Sequence, residues 1–250
     1  MSGRLRGRSV VVTGAGRGLG RAIAMAVARE GADVGMVGRT GDSLEEAALE
    51  ARVHGVQVAV VPADVADAAA VEEALGRAAE RLGGLDGLVT AAAIDCAWAP
   101  TGEMDLAEWD RTVAVNLSGA FYCCRFALPL LASAERSAIV NVTSVAAARA
   151  WPEDVAYNAS KAGVEMLTKT IAVEYAAQGV RANCLAPGVI DAGMTDELPS
   201  EEERERLRGL HPIGRFGYPE EVAEAAVWLL SDASSFTTGT TLTVDGGFLA

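Results

Sequence analysis

Val10-Val11-Val12-Thr13-Gly14-Ala15-Gly16-Arg17-Gly18-Leu19-Gly20 decides how the rest of the chain is read. Three β-branched residues in a row suit a buried strand. The glycines then let the backbone turn sharply and approach a ligand closely. Arg21 to Glu30 follows with helical periodicity. Strand, glycine loop and helix form the context in which a helix N-terminus holds a phosphate. The spacing from Gly14 is G-x-x-x-G-x-G, with Leu19 where G-x-G-x-x-G would place its third glycine. A tight turn with no ligand is the competing explanation.

Outward from this stretch, strands and helices alternate. Ala32 to Val37 reads as a second strand, then Ser43 to Val53 as a helix capped by Asp42 or Ser43. Val56 to Val61 is a third strand, ending in Pro62-Ala63-Asp64-Val65. Asp67 to Leu82 is a helix, and Leu85 to Thr90 a fourth strand that runs into Ala91-Ala92-Ala93. Met104 to Leu131 is mostly helical, with Pro129 expected to kink or end it. Ala138 to Thr143, Val180 to Leu185 and Thr240 to Val244 supply three more strands, and Pro219 to Ser231 a late helix. This alternation predicts an α/β fold: one doubly wound domain over residues 1–250, with a mostly parallel seven-stranded sheet and helices on both faces. Ligands in such sheets bind at the carboxyl ends of the strands. Asp64 lies just after one such end, where it serves equally well as a helix cap.

Half of the 250 residues are hydrophobic, enough for a sizeable core, and the net charge is −13. That balance argues against a nucleic-acid partner, which calls for a basic patch. No run of about 18 apolar residues predicts a membrane span. Four cysteines and two histidines show no metal-ligand spacing, so no metal is expected, and the thiols read as buried and free in a reducing cytoplasm.

Tyr157-Asn158-Ala159-Ser160-Lys161 places a phenol and an amine one helical turn apart. Pro152-Glu153-Asp154 reads as the helix start, and Val164, Leu167 and Ile171 continue the period to about Gln178. The helix dipole and the Lys161 charge are both expected to lower the phenol pKa towards a usable acid or base. Ser144, at the end of the fifth strand, is positioned to bond a substrate oxygen beside that phenol. The alternative is a surface pair on an amphipathic helix. Asn116, among Val113, Val115, Leu117 and Ala120, must find hydrogen bonds, whether as a functional group or as a satisfied core amide.

Together these residues resemble the short-chain dehydrogenase/reductase family over essentially the whole chain. Thr13-Gly14-x-x-x-Gly18-x-Gly20 is similar to its cofactor turn, Asp64 to the carboxylate that bonds the adenine amine, and Pro187-Gly188 to the segment beside the nicotinamide. Asn116, Ser144, Tyr157 and Lys161 resemble its catalytic tetrad in order and spacing. The resemblance implies a Rossmann-type domain and hydride transfer between a nicotinamide and a ketone or secondary alcohol. Tyr157 would exchange the proton, Ser144 would hold the substrate oxygen, Lys161 would tune the phenol and bond the ribose, and Asn116 would hold a water. It also implies cofactor contacts from Gly14, Arg17, Gly18, Leu19, Gly20, Arg39, Asp64, Val65, Ala92, Tyr157, Lys161, Pro187, Gly188 and, through its backbone to the carboxamide, Val189. A cytoplasmic homotetramer, paired through its long helices, is expected.

Two departures from the family pattern stand out. Thr90-Ala91-Ala92-Ala93 replaces the usual N-N-A-G, and Ala192 stands where a threonine is usual. The end of the second strand carries Gly38, where enzymes using NAD(H) place a carboxylate. Arg39 and Arg17 could instead pair a 2′-phosphate, so NADP(H) is expected over NAD(H), unless both are plain surface arginines. An NAD-dependent alcohol dehydrogenase and a non-catalytic dinucleotide-binding scaffold are the rivals. Residues 93 to 101, 145 to 153 and 191 to 215 are expected to shape a pocket for a small ketone or alcohol. The charged stretch around 190–215 is the expected lid.

Overall fold

The computed structural model describes residues 3–192 and 200–250. Among them the order is β1 (Ser9–Thr13), α1 (Gly18–Arg29), β2 (Asp33–Gly38), α2 (Gly41–Arg52), β3 (Val58–Pro62), α3 (Ala68–Leu82), β4 (Gly87–Thr90), α4 (Leu106–Val113), α5 (Gly119–Leu131), β5 (Ser137–Val142), α6 (Val155–Tyr175), β6 (Val180–Pro187), α7 (Glu201–Gly209), α8 (Pro219–Leu230) and β7 (Thr241–Val244). The strands form one sheet in the order β3-β2-β1-β4-β5-β6-β7. Every strand pairing described is parallel, where a mostly parallel sheet was expected.

A parallel sheet covered on both faces needs strands that are apolar on both sides. β1 and β5 are accordingly buried along their whole lengths. Leu44 and Ala47 of α2, Ile23 and Val27 of α1, and Val222 and Val227 of α8 close one face. Leu75 of α3, Leu128 of α5 and Ile171 of α6 close the other. Alanines such as Ala24, Ala48, Ala78 and Ala127 in the same clusters let the helices lie close to the strands.

Several boundaries differ from expectation for local reasons. α1 begins at Gly18, three residues before Arg21, because the glycine loop itself enters the first helical turn. α2 begins at Gly41 with Thr40 at its N-cap, and Ser43 bonds back to the Thr40 carbonyl rather than capping. At α3 the cap is Asp67, which accepts from Ala69 and Ala70. Asp64 is thereby released from the capping role. The long helical run does not break at Pro129, which sits inside α5. It breaks at Ala114–Ser118, a π-helical turn. The span Leu106–Leu131 is long and apolar enough to cross a membrane by length and composition alone, yet its α5 half packs into the core through Cys123, Cys124, Ala127 and Leu131.

The chain reverses its direction of travel across the sheet between β1 and β4. A crevice opens at the carboxyl ends of such strands, where neighbouring loops diverge. Thr13 and Thr90 end these two strands side by side. The Thr13 hydroxyl accepts from the amides of Ala91 and Ala92 at 3.1 and 3.2 Å, which fixes the loop after β4 against the glycine turn.

Candidate active site

A cavity of about 620 Å³ occupies that crevice. It is lined by Gly14, Arg17, Gly18, Leu19, Gly20, Arg39, Asp64, Val65, Ala92, Ser144, Tyr157, Lys161, Pro187, Gly188 and Val189. All the candidate residues but Asn116 therefore meet in one place. Of the three pocket-shaping stretches, Ile94, Asp95 and Trp98 come from the first, Val145, Ala146 and Trp151 from the second, and Ala192 and Leu207 from the third. Residues 193–199 of the expected lid lie outside the described residues; what is described of it is α7.

One end of the cavity is built for an anion. Gly14 has φ +70°, and a β-carbon there would stand 2.9 Å from the Ala92 backbone. Only glycine lets these two loops approach so closely. α1 opens with no side-chain cap and no acidic residue in its first turn. Its first amides, at the positive end of the helix dipole, face the cavity and suit a pyrophosphate. Arg17 and Arg39 are exposed at the same end, and neither has an ion-pair partner among the described residues. Asp64 lies beside them, and among the described residues its carboxylate accepts only from the nearby Ala66 amide, at 3.0 Å. The fit to a dinucleotide is therefore physical as well as a matter of motif.

The other end carries titratable groups. Ser144 begins a short turn after β5, where its Oγ accepts from the Ala146 amide at 3.1 Å. The same side chain lies close enough to the Tyr157 phenol to lower its pKa. Lys161 is buried; its Nζ donates to the Val142 carbonyl at 3.0 Å and lies 5.5 Å from the centre of the Tyr157 ring. Burial pulls the Lys161 ammonium down to about 8. Burial pushes the Tyr157 phenol above its ordinary value; the Ser144 hydroxyl pulls it back in part, and Asp95 and Asp154 push it further up. This reverses the expected lowering. Desolvation is the largest influence on the phenol, ahead of the Ser144 hydroxyl and the two carboxylates.

Asn116 sits behind this wall. Its Oδ1 accepts from the Ile94 amide and its Nδ2 donates to the Ile94 carbonyl, both at 2.9 Å, with Ser160 Oγ at 3.3 Å. It therefore clamps the loop that carries Ile94 and Asp95 onto the tyrosine helix. Thr90, in place of the usual asparagine, donates to Asn141 Oδ1 at 2.7 Å, and Asn141 donates to Thr168 at 2.8 Å. That chain braces β4, β5 and α6 from inside the core. Both Val189 backbone groups are bonded within the protein: the amide donates to His211 Nε2 at 3.2 Å, and the carbonyl accepts from Gly217 at 3.0 Å. The Val189 carbonyl keeps a second lone pair for the carboxamide contact expected of it.

Sequence reasoning missed Asp154 as a site residue and assigned it only to the helix start. Its side chain is 6 % exposed and makes no capping bond. It accepts instead from Cys96 Sγ at 3.1 Å, and with Asp95 forms a small acidic group beside Tyr157. Burial first, then Asp95, push its carboxyl up to about 7. Glu153, just before it, adopts φ +68°, and its carbonyl accepts from Ala99, tying together two of the pocket loops. The segment therefore both starts α6, with Asp154 at the N-cap position, and shapes the pocket.

Residues 14–249 match a family model described as enoyl-(acyl carrier protein) reductase. The chain is 41 % identical over 243 residues to cis-4-hydroxycyclohexanecarboxylate dehydrogenase of Sinomonas cyclohexanicum, covering 97 % of each chain. It is 40 % identical over 247 residues to D-threitol dehydrogenase of Mycolicibacterium smegmatis, covering 98 % of this chain and 94 % of the other. A crystal structure of a dehydrogenase/reductase from Sinorhizobium meliloti 1021 superposes with a TM-score of 0.93 at 34 % identity, covering 98 % of this chain and 96 % of that one. With a fold, a glycine turn and a Ser-Tyr-Lys cluster that agree, the chain belongs to the short-chain dehydrogenase/reductase family, whose members are oxidoreductases acting on alcohol groups.

Proposed function

We propose that the protein interconverts a small ketone and the corresponding secondary alcohol with NADP(H), using Tyr157 as the proton donor or acceptor. The observation that carries this is the sharing of one cavity by an uncapped helix start at one end and the Ser144-Tyr157-Lys161 cluster at the other. The nicotinamide would supply the hydride. The chain's own part is orientation and the proton. A phenol held protonated by its buried setting is ready to donate to a developing alkoxide. Ser144, beside that phenol, orients the oxygen that receives the proton. Lys161, anchored on the Val142 carbonyl, keeps a positive charge within the same wall.

Arg17 and Arg39 support the choice of NADP(H). Exposed guanidinium groups without ion-pair partners, at the phosphate end of the cavity, are suited to a 2′-phosphate. Gly38 offers no carboxylate to bond the two ribose hydroxyls of NAD(H). The test is kcat/KM with each cofactor, using a panel of small ketones. A preference for NADPH of tenfold or more is expected; a preference for NADH would overturn this part of the proposal. Absence of turnover with either cofactor, together with tight nucleotide binding, would favour a scaffold instead. Association into a homotetramer is part of the same proposal. Leu106, Phe121, Met166 and Val173 are exposed apolar residues on α4, α5 and α6, and Val173 is 83 % exposed. Light scattering showing a monomer at micromolar concentration would count against it. The four free, buried cysteines support a reducing, cytoplasmic setting.

A further inference from the structure

His211 lies outside every motif of the family pattern, and it is 3 % exposed. Its Nδ1 stands 2.9 Å from the Leu207 carbonyl, which can only accept, so Nδ1 carries the hydrogen. Nε2 is then a lone pair, and it accepts from the Val189 amide at 3.2 Å. Two backbone groups, 22 residues apart in the Val189 case, thus dictate one neutral tautomer. The ring is also held by Phe216, edge-on at 6.2 Å between centroids, and by Phe248 at 5.2 Å. A β-carbon on Gly188 would stand 3.0 Å from Nε2, so that glycine is needed for the approach. The charges around it are Arg204 and Arg208 over the Phe216 ring, Arg149 over Phe248, and Asp245 beside Gly188. Arg208 donates to Glu201 and Glu205, Arg149 donates to the Phe248 carbonyl, and Asp245 accepts from the Gly247 and Leu249 amides. His211 therefore joins three segments: the cavity wall after β6, the end of α7, and the C-terminal Phe248.

We propose that His211 is a positioning residue, whose Nδ1–H imidazole splints the Pro187–Val189 wall to α7 and so sets cofactor affinity together with the placement of that helix. This rests on the proposed dinucleotide site. A side chain that only filled the core would need its volume and its aromatic neighbours, but neither nitrogen.

Three variants separate the two roles. His211→Gln extends an amide oxygen to about the reach of Nε2 and can restore the acceptor for Val189. His211→Asn offers a donor near Nδ1 for Leu207 and leaves Val189 without its partner. His211→Phe keeps the ring and removes both bonds. The readouts are amide hydrogen exchange at Val189 in the protein alone, and the Kd for NADPH by fluorescence titration. Phe and Asn are expected to speed exchange and raise Kd by about tenfold each, the worth of one neutral hydrogen bond, with more change in cofactor KM than in kcat. Gln should recover most of both. If Phe and Asn leave exchange and Kd within twofold of the parent while only Tm falls, His211 is a packing residue and the proposal is overturned. It is also overturned if Gln is as impaired as Phe, or if nitrogen NMR finds the hydrogen on Nε2. Should the Phe variant not fold, Gln against Asn makes the same comparison. If the parent protein binds no nucleotide, the proposed function has failed, and exchange at Val189 still decides whether the splint exists.

Discussion

Replacing Asp154 with asparagine should stabilise the protein, and the gain should depend on pH. The carboxyl is buried, accepts from Cys96, faces the charge of Asp95, and is pushed up from 3.8 to about 7. In the unfolded chain it ionises near its ordinary value. Between those two values the folded state holds a proton that the unfolded state has lost, so stability falls as pH rises through this window. Above it the full cost of a buried carboxylate is present; below about pH 4 there is none. A shift of roughly three units corresponds to about 4 kcal/mol at 1.36 kcal/mol per unit. Asparagine is nearly isosteric, can still accept from Cys96, and never ionises. The variant should therefore gain about 1–2 kcal/mol near pH 5 and about 4 kcal/mol above pH 8. The latter is a rise in Tm of roughly 10 °C for a domain of this size. Urea unfolding of both proteins at the two pH values measures the difference directly. A gain equal at both, or a variant less stable than its parent at pH 8, would show that Asp154 is not held against its ionisation.

Tyr157→Phe should lower kcat by about 10² to 10⁴ while leaving NADPH binding intact, since it removes the proton donor and little else. Steady-state kinetics with a fluorescence titration checks both halves, and activity above a tenth of the parent would remove the phenol from its role. Gly14→Ala should weaken NADPH binding at least tenfold and cost about 1–2 kcal/mol of stability, because φ is positive and the Ala92 backbone blocks the new methyl. Unchanged affinity would mean that the two loops part easily. A small neutral ketone should be reduced with higher kcat/KM than acetoacetyl-carrier protein at equal concentration. The net charge of −13 disfavours an acidic partner, and Asp95 and Asp154 disfavour an anion beside Tyr157. A carrier advantage that fades with added salt would reveal a docking surface and refute this.

The strands, the glycine turn and the phenol-amine pair were legible because each is a local pattern. Val10 to Val12 can only be a buried strand, and Tyr157 and Lys161 must share a helix face. What was not legible depended on distant partners. The Tyr157 phenol was expected to be lowered by its helix and Lys161, but desolvation in the cavity wall, with Asp95 and Asp154 nearby, raises it. Asp154 does stand at the N-cap of α6, as its sequence suggests, but its side-chain partner, Cys96, is 58 residues away. His211 gave no signal at all, since both of its hydrogen-bond partners are backbone atoms that any residue could supply. Pro129 was the obvious candidate for a break, yet the helix breaks fifteen residues earlier, at Ala114, where no residue type announces it.

That break also bears on insertions and deletions. A π-turn holds one residue more than the α-helical turn it replaces. Removing any single residue from Ala114–Ser118 would allow an unbroken helix, which is locally the more comfortable state. The flanking α4 and α5 would keep their relative faces, because an α turn closes with one residue fewer, but the side chains inside the turn would be redirected. Asn116 could then no longer reach both backbone groups of Ile94, and the loop bearing Asp95 would lose its clamp. Side chains along this segment can be exchanged one by one for others of similar size. Its length cannot change by one without dismantling the pocket, so a frame-preserving deletion here should be far more damaging than most substitutions at the same positions.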